Sequence, residues 1–99
     1  MTPRTSWNEK RAEALAHPEA AAAYQAAGLR FELGAAVRKR RESLGMSQRE
    51  LADAAGLHQP AVARFEAGGT MPTILMLERY AHALNLRLSV ELLPLDQAS

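Results

Sequence analysis

Residues 47–68, SQRELADAAGLHQPAVARFEAG, constrain this chain more than any other stretch. Ser47 is a good helix N-cap, and Glu50 three residues later completes the reciprocal pair of hydrogen bonds of a capping box. Met46 before the cap and Leu51 after the first turn can close over it as a hydrophobic staple. Gly56 is the residue best able to take positive φ and end that helix. A second helix is predicted over 59–66, stopped by Gly68-Gly69. Apolar residues recur at Leu51, Ala55, Leu57, Val62 and Phe65, and the small Ala52 lies where two crossing helices touch. The stretch therefore predicts two short helices, a tight turn between them, and one shared apolar side. His58 occupies the N-cap of the second helix and caps less well than Ser or Thr. Pro60 falls within that helix's first turn, where its missing N–H costs little.

Two short helices at a steep angle, with the second offered to a DNA major groove, are the helix-turn-helix arrangement. Residues 33–84 resemble the XRE (Cro/repressor-type) helix-turn-helix family. The resemblance runs from Arg41 through LGMSQRELADAAGL to ARFEAG and on to MPTILMLERYAHAL. Small, glycine, apolar, Gln and Glu positions match together, and His58 departs from the family's usual Ser or Thr. The resemblance implies that Arg41 and Glu66 form a pair locking the first helix of the domain to the recognition helix. Position agrees: the spacing Val37, Arg41, Leu44 puts Arg41 on the core side of its helix, where a charge requires a partner.

The rest of the chain reads as helix with one exception. Ser6 and Glu9 have capping-box spacing, which predicts a short helix over 7–16. Pro18 starts another helix at its first position, and helical composition continues to Leu44, with Gly45 as the stop. This is one long helix or two meeting near Gly28, since an interior Gly costs only about 1 kcal/mol against Ala. Tyr24, Phe31 and Ala35 fall along one side of it, and Leu33, Val37, Arg41 and Leu44 along another. After Gly69, Thr73 caps a helix over 74–84, whose core face is Leu77, Tyr80, Ala81 and Leu84, and Asn85 is a left-handed stop. The exception is LRLSVELL at 86–93. There Leu86, Leu88, Val90 and Leu92 alternate with Arg87, Ser89 and Glu91, the period of a half-buried strand ended by Pro94. A lone strand leaves its backbone groups unpaired, so this segment predicts a second copy of the chain or the edge of another protein's sheet.

These readings give an all-α fold: a repressor-like helix-turn-helix bundle of five to six helices, an added N-terminal helical segment and one short C-terminal β-strand. Residues 1–29 form the N-terminal extension, 30–85 the helix-turn-helix domain and 86–99 the strand and tail, in a single compact unit. A chain of 99 residues holds one modest core. It has no cysteine, which excludes disulfide scaffolds and cysteine-ligated zinc, and a reducing cytoplasm is its natural setting. No apolar run serves as a secretory signal or membrane span.

The net charge is only +1, but its distribution is uneven. Arg30, Arg38, Lys39, Arg40, Arg41 and Arg49 face only Glu32 and Glu42 between positions 30 and 49. A locally basic helix beside the helix-turn-helix suits phosphate contact. His17, His58 and His82 are too scattered for a metal motif, no phosphate-binding Gly loop is present, and no spacing links Ser, His and Asp into a nucleophilic site. No enzyme, cofactor or metal is expected.

The function expected is that of a sequence-specific DNA-binding repressor acting as a homodimer on an operator in double-stranded DNA. Gln59 and Arg64 are the residues most able to read base edges, Gln on adenine and Arg on guanine. His58, Pro60 and Ala61 lie toward the same exposed side, with Ala63 close by, and the alanines can only meet a thymine methyl. Gln48, at the positive end of the first motif helix, is placed to bind a phosphate. Arg38, Arg49 and Thr70 can add phosphate contacts. Leu86, Leu88, Val90 and Leu92 are the expected dimerisation residues.

The whole chain also resembles small antitoxins of the HigA type, through Trp7, Pro18-Glu19 and Ala23-Tyr24. That resemblance implies a partner toxin of the RelE/HigB ribonuclease type, held by a surface including Trp7 and Tyr24, and repression of the protein's own operon. The alternative is a stand-alone phage-type repressor or regulator whose extra helix only extends the core.

Overall fold

The computed structural model describes residues 16–95. The expected helix over 7–16, its Ser6–Glu9 cap and Trp7 lie outside the described residues, but for Ala16. Among the described residues there are four helices: α1 (Pro18–Ser43), α2 (Gln48–Ala55), α3 (Gln59–Glu66) and α4 (Ile74–Ala83).

α1 is one unbroken helix of 26 residues, with Pro18 at its start and Glu19 in its first turn. Gly28 has open space around it, and the helix runs through it without a break. The boundary drawn at residue 29 falls inside this helix. Its buried residues, Gly34, Val37 and Arg41, lie in its C-terminal half, while Tyr24, Leu29 and Phe31 are more than half exposed. Gly34 permits a close approach of α1 to the end of α3. A Cβ there would overlap the Phe65 carbonyl oxygen and lie 3.2 Å from that of Glu66. The interior glycine therefore sets how near α1 comes to the end of α3.

The core is built from Val37 of α1, Leu51 and Ala52 of α2, Val62 and Phe65 of α3, Leu77 and Tyr80 of α4, and Leu84. The Phe65 and Tyr80 rings meet with centroids 4.8 Å apart, tilted by 44°. Leu51, Val62 and Leu84 lose all their exposed surface. Thr73 caps α4 by accepting from the Met76 N–H, and Asn85 takes φ 57° directly after it. The Leu86 N–H then returns to the Ala81 carbonyl at 2.7 Å.

Three expectations need correction. Leu44 does not join Val37 and Arg41 on the core side; it is 45% exposed. It is the C-cap, with φ −91° and ψ 0°, so helical periodicity no longer aims its side chain. Residues 86–93 form no strand among the described residues. Leu88 packs partly against the core, while Leu86, Val90, Leu92 and Leu93 stay exposed. Period-two alternation encodes two faces but cannot supply a ladder partner, and no other segment among the described residues is a strand. Finally, the described bundle has four helices, not five to six, because the long helix is continuous and the first expected helix lies outside the described residues. No described helix is long and apolar enough to cross a membrane.

Candidate nucleic-acid interface

The interface is assembled by the turn between α2 and α3. Both bonds of the capping box are made: the Glu50 N–H donates to Ser47 Oγ at 3.0 Å and the Ser47 N–H to Glu50 Oε1 at 2.8 Å. Gly56 ends α2 with φ 70°, and the Leu57 N–H returns to the Ala52 carbonyl at 2.8 Å. α3 starts at His58, whose side chain makes no capping bond. Its backbone carbonyl still accepts from the Ala61 N–H at 3.0 Å, so the helix forms with Pro60 in its first turn.

α3 buries one edge and exposes the other. Val62, Phe65 and Glu66 are buried. Gln59, Pro60 and Arg64 are exposed, with His58 at the start of the same edge and Ala61 and Ala63 half-buried beside it. Arg49 on α2, Arg38 on α1 and Thr70 beyond α3 are exposed as well. Arg38 pairs along its own helix with Glu42, Nε to Oε2 at 3.2 Å. Arg38, Arg41, Gln48, Ala63, Glu66 and Ala67 together line a polar hollow where α1, α2 and α3 meet.

Behind this edge lies the ion pair. Arg41 and Glu66 are 9% and 8% exposed. Arg41 Nε donates to Glu66 Oε2 at 2.7 Å and its Nη2 to Oε1 at 2.9 Å, a bidentate fork. Its Nη1 donates to the Met46 carbonyl at 2.7 Å, which ties the pair to the entrance of α2. Hydrogen bonding to Glu66 raises the Arg41 pKa above its ordinary value despite the opposing effect of burial. Arg41 is thereby committed to the fold and not to phosphate.

Gln48 is also turned inward. Its Nε2 donates to Glu66 Oε1 at 3.1 Å, and its Oε1 accepts from Gln59 Nε2 at 2.8 Å. Sequence spacing put Gln48 at the positive end of α2 but carried no sign of these bonds across the turn. Two further residues were missed. Arg40 Nε donates to the Leu84 carbonyl at 3.0 Å, so one member of the basic run satisfies the end of α4. Gly34 was detectable in principle, since a glycine inside a strong helical pattern often marks a close backbone approach.

The helix-turn-helix family HTH_3 matches residues 37–90, more than half of the chain. The chain belongs to this XRE-type helix-turn-helix family of DNA-binding transcriptional regulators. Among solved structures it is similar to the clp gene regulator ClgR from Corynebacterium glutamicum, at 34% identity over 59% of this chain and 62% of that one, with a TM-score of 0.57. A second ClgR structure matches at 34% identity over 60% of this chain and 77% of that one, TM-score 0.58. The restriction-modification controller protein C.AhdI from Aeromonas hydrophila matches at 27% identity over 61% of this chain and 91% of that one, TM-score 0.59. This chain thus spans less than two thirds of the first ClgR chain. No curated protein matches it in sequence.

Proposed function

We propose that this protein represses transcription by binding a specific operator in double-stranded DNA as a homodimer, with α3 in the major groove. One observation carries the reading: α3 is anchored by Val62, Phe65 and Glu66 along one edge and leaves Gln59 and Arg64 exposed along the other. Gln and Arg are the side chains that pair bidentately with adenine and guanine edges. The names of the similar structures, a gene regulator and a controller protein, support regulation over a purely structural role. Dimerisation is supported by the exposed apolar residues of segment 86–93, Leu86, Val90, Leu92 and Leu93. Two copies would set their recognition helices about 34 Å apart and require an inverted repeat. Selection of bound duplexes from a random pool, with light scattering on the free protein, tests this. An inverted-repeat consensus and a dimer are the expected results; a monomer at micromolar concentration that enriches no sequence refutes it.

The finer reading, an antitoxin that neutralises a RelE/HigB-like toxin and represses its own operon, is favoured by a separate observation. The N-terminal half of α1 carries Pro18-Glu19 and Ala23-Tyr24 of the antitoxin-like pattern, and Tyr24, Leu29 and, just beyond, Phe31 are more than half exposed. Exposed aromatic and apolar residues are the usual anchors of protein interfaces. A toxin-sized basic protein encoded next door and co-purifying with this chain is the expected result. Absence of any such partner leaves the stand-alone regulator, and full neutralisation by a chain lacking residues 1–29 removes the interface role of Tyr24.

A further inference from the structure

We infer that Arg30 is a positioning residue for DNA binding: it holds the Gly68 carbonyl, and through it sets the loop that carries Thr70 to the DNA backbone. This rests on the reading of α3 as the recognition helix. A helix ends with carbonyls that its own turns leave unpaired. At the end of α3 the chain folds back on them. The Gly68 N–H returns to the Phe65 carbonyl and the Gly69 N–H to that of Arg64, both at 2.9 Å. Gly68 makes this reversal at φ 81°. Its own carbonyl then points away from α3 and meets α1, where Arg30 Nε donates to it at 3.4 Å. Phe31 lies alongside, and a Cβ on Gly68 would stand 3.3 Å from the Phe31 Cα.

α1 therefore grips the end of α3 at successive levels: Arg41 at the Glu66 carboxylate, Gly34 at the Phe65 and Glu66 carbonyls, and Arg30 at Gly68. The last differs from the others. Arg30 precedes residue 37, where the family match begins, so this grip comes from outside the matched domain. It also acts on the loop and not on the helix. With the N–H groups of Gly68 and Gly69 and the Gly68 carbonyl all engaged, the exposed Thr70 that follows starts from a fixed point. A hydroxyl already held in place binds a phosphate without first being ordered, which strengthens affinity. The gain is the same on every sequence, because phosphate contacts carry no base information. This role needs an N–H at the Nε position of Arg30 and does not need its charge.

Arg30→Gln and Arg30→Met separate the donor from the charge. Gln places an amide nitrogen as far along the side chain as Nε, without the charge, and Met places a methyl there. The test measures binding of the full chain to its selected duplex and to single-base variants of it. Helical circular dichroism at the binding temperature checks the fold of each variant. Arg30→Met should weaken binding to all these duplexes by about two- to tenfold per half-site, the worth of one hydrogen bond, and Arg30→Gln should keep most of the parent's affinity. Thr70→Val should weaken the parent by a similar factor and cost little more in the Arg30→Met background, as coupled residues do. A role of Arg30 in stability alone would leave the two losses additive. Equal losses in Arg30→Gln and Arg30→Met, additive losses in the double variant, or Arg30→Met or Thr70→Val binding as the parent does, overturns the proposal. In those failures Arg64→Ala still alters a base preference; if it alters none, the recognition-helix reading itself falls and the proposal with it, so the two failures are told apart.

Discussion

Arg41→Met removes the charge at the centre of the fold while keeping much of the side chain's volume. The native Arg41 is 9% exposed and its partner Glu66 8%. Three hydrogen bonds disappear, two to the carboxylate and one to the Met46 carbonyl. Glu66 is left as a buried charge with only the neutral Gln48 amide to hold it. Breaking a buried pair in this way costs about 3–5 kcal/mol. Small domains hold only about 5–15 kcal/mol in all. At about 4–8 °C per kcal/mol for a domain of this size, the melting temperature should fall by about 12–40 °C. Thermal and urea unfolding followed by circular dichroism measure it. The double variant Arg41→Met/Glu66→Leu should regain most of the loss, because replacing a whole buried pair by apolar groups is often near neutral. The raised pKa of Arg41 has a definite sign: the charged form is favoured by folding, so its contribution is complete at neutral pH and is lost only in strong alkali. A single-variant loss of a few degrees, or a double variant no better than the single, refutes the reasoning.

Gly34→Ala should destabilise the fold by about 1–3 kcal/mol despite alanine's better helix propensity, since the new methyl meets the Phe65 carbonyl and that backbone cannot give way cheaply; a gain in melting temperature would contradict the packing described. Tyr80 has its pKa raised above 10.0, by burial first and by the charge of Glu66 second. The unfolded chain then loses this proton before the folded one, so stability should fall as pH rises through about 10 and beyond. Urea midpoints for parent and Tyr80→Phe between pH 9 and 11 test this, and equal slopes for both would place the alkaline sensitivity elsewhere.

The parts of the fold legible in the sequence are those set by neighbours in the chain. Ser47, Glu50, Gly56 and Asn85 act within a turn of themselves, so spacing alone exposes their roles. The Arg41–Glu66 pair was legible for another reason: a charge in an apolar stripe demands a partner, and the family resemblance supplied it. Leu44 misled because periodicity was carried one residue past the helix it described. The segment 86–93 misled because alternation reports two faces and says nothing of what lies beside them. Gln48 shows the limit most clearly. Its position at the start of α2 suits a phosphate, yet its side chain is bonded to Glu66 and Gln59, residues reached only once the turn has folded. Arg40 likewise reads as one more charge in a basic run until α4 brings the Leu84 carbonyl to it.

The central claim is that the exposed edge of α3 reads bases, and Arg64 tests it most directly. Val62 and Phe65 beside it are buried, which sends Arg64 outward. The measurement is the affinity of parent and Arg64→Ala for the selected operator and its single-base variants, at two salt concentrations. A bidentate guanine contact contributes about 1–3 kcal/mol of discrimination at one base pair per half-site. The account predicts that Arg64→Ala loses that preference at one guanine while the preferences at other positions persist. Uniform weakening on every sequence, with the salt slope reduced by about one per half-site, would make Arg64 a phosphate contact. Binding of operator and random DNA unchanged from the parent would contradict the assignment of α3 as the recognition helix.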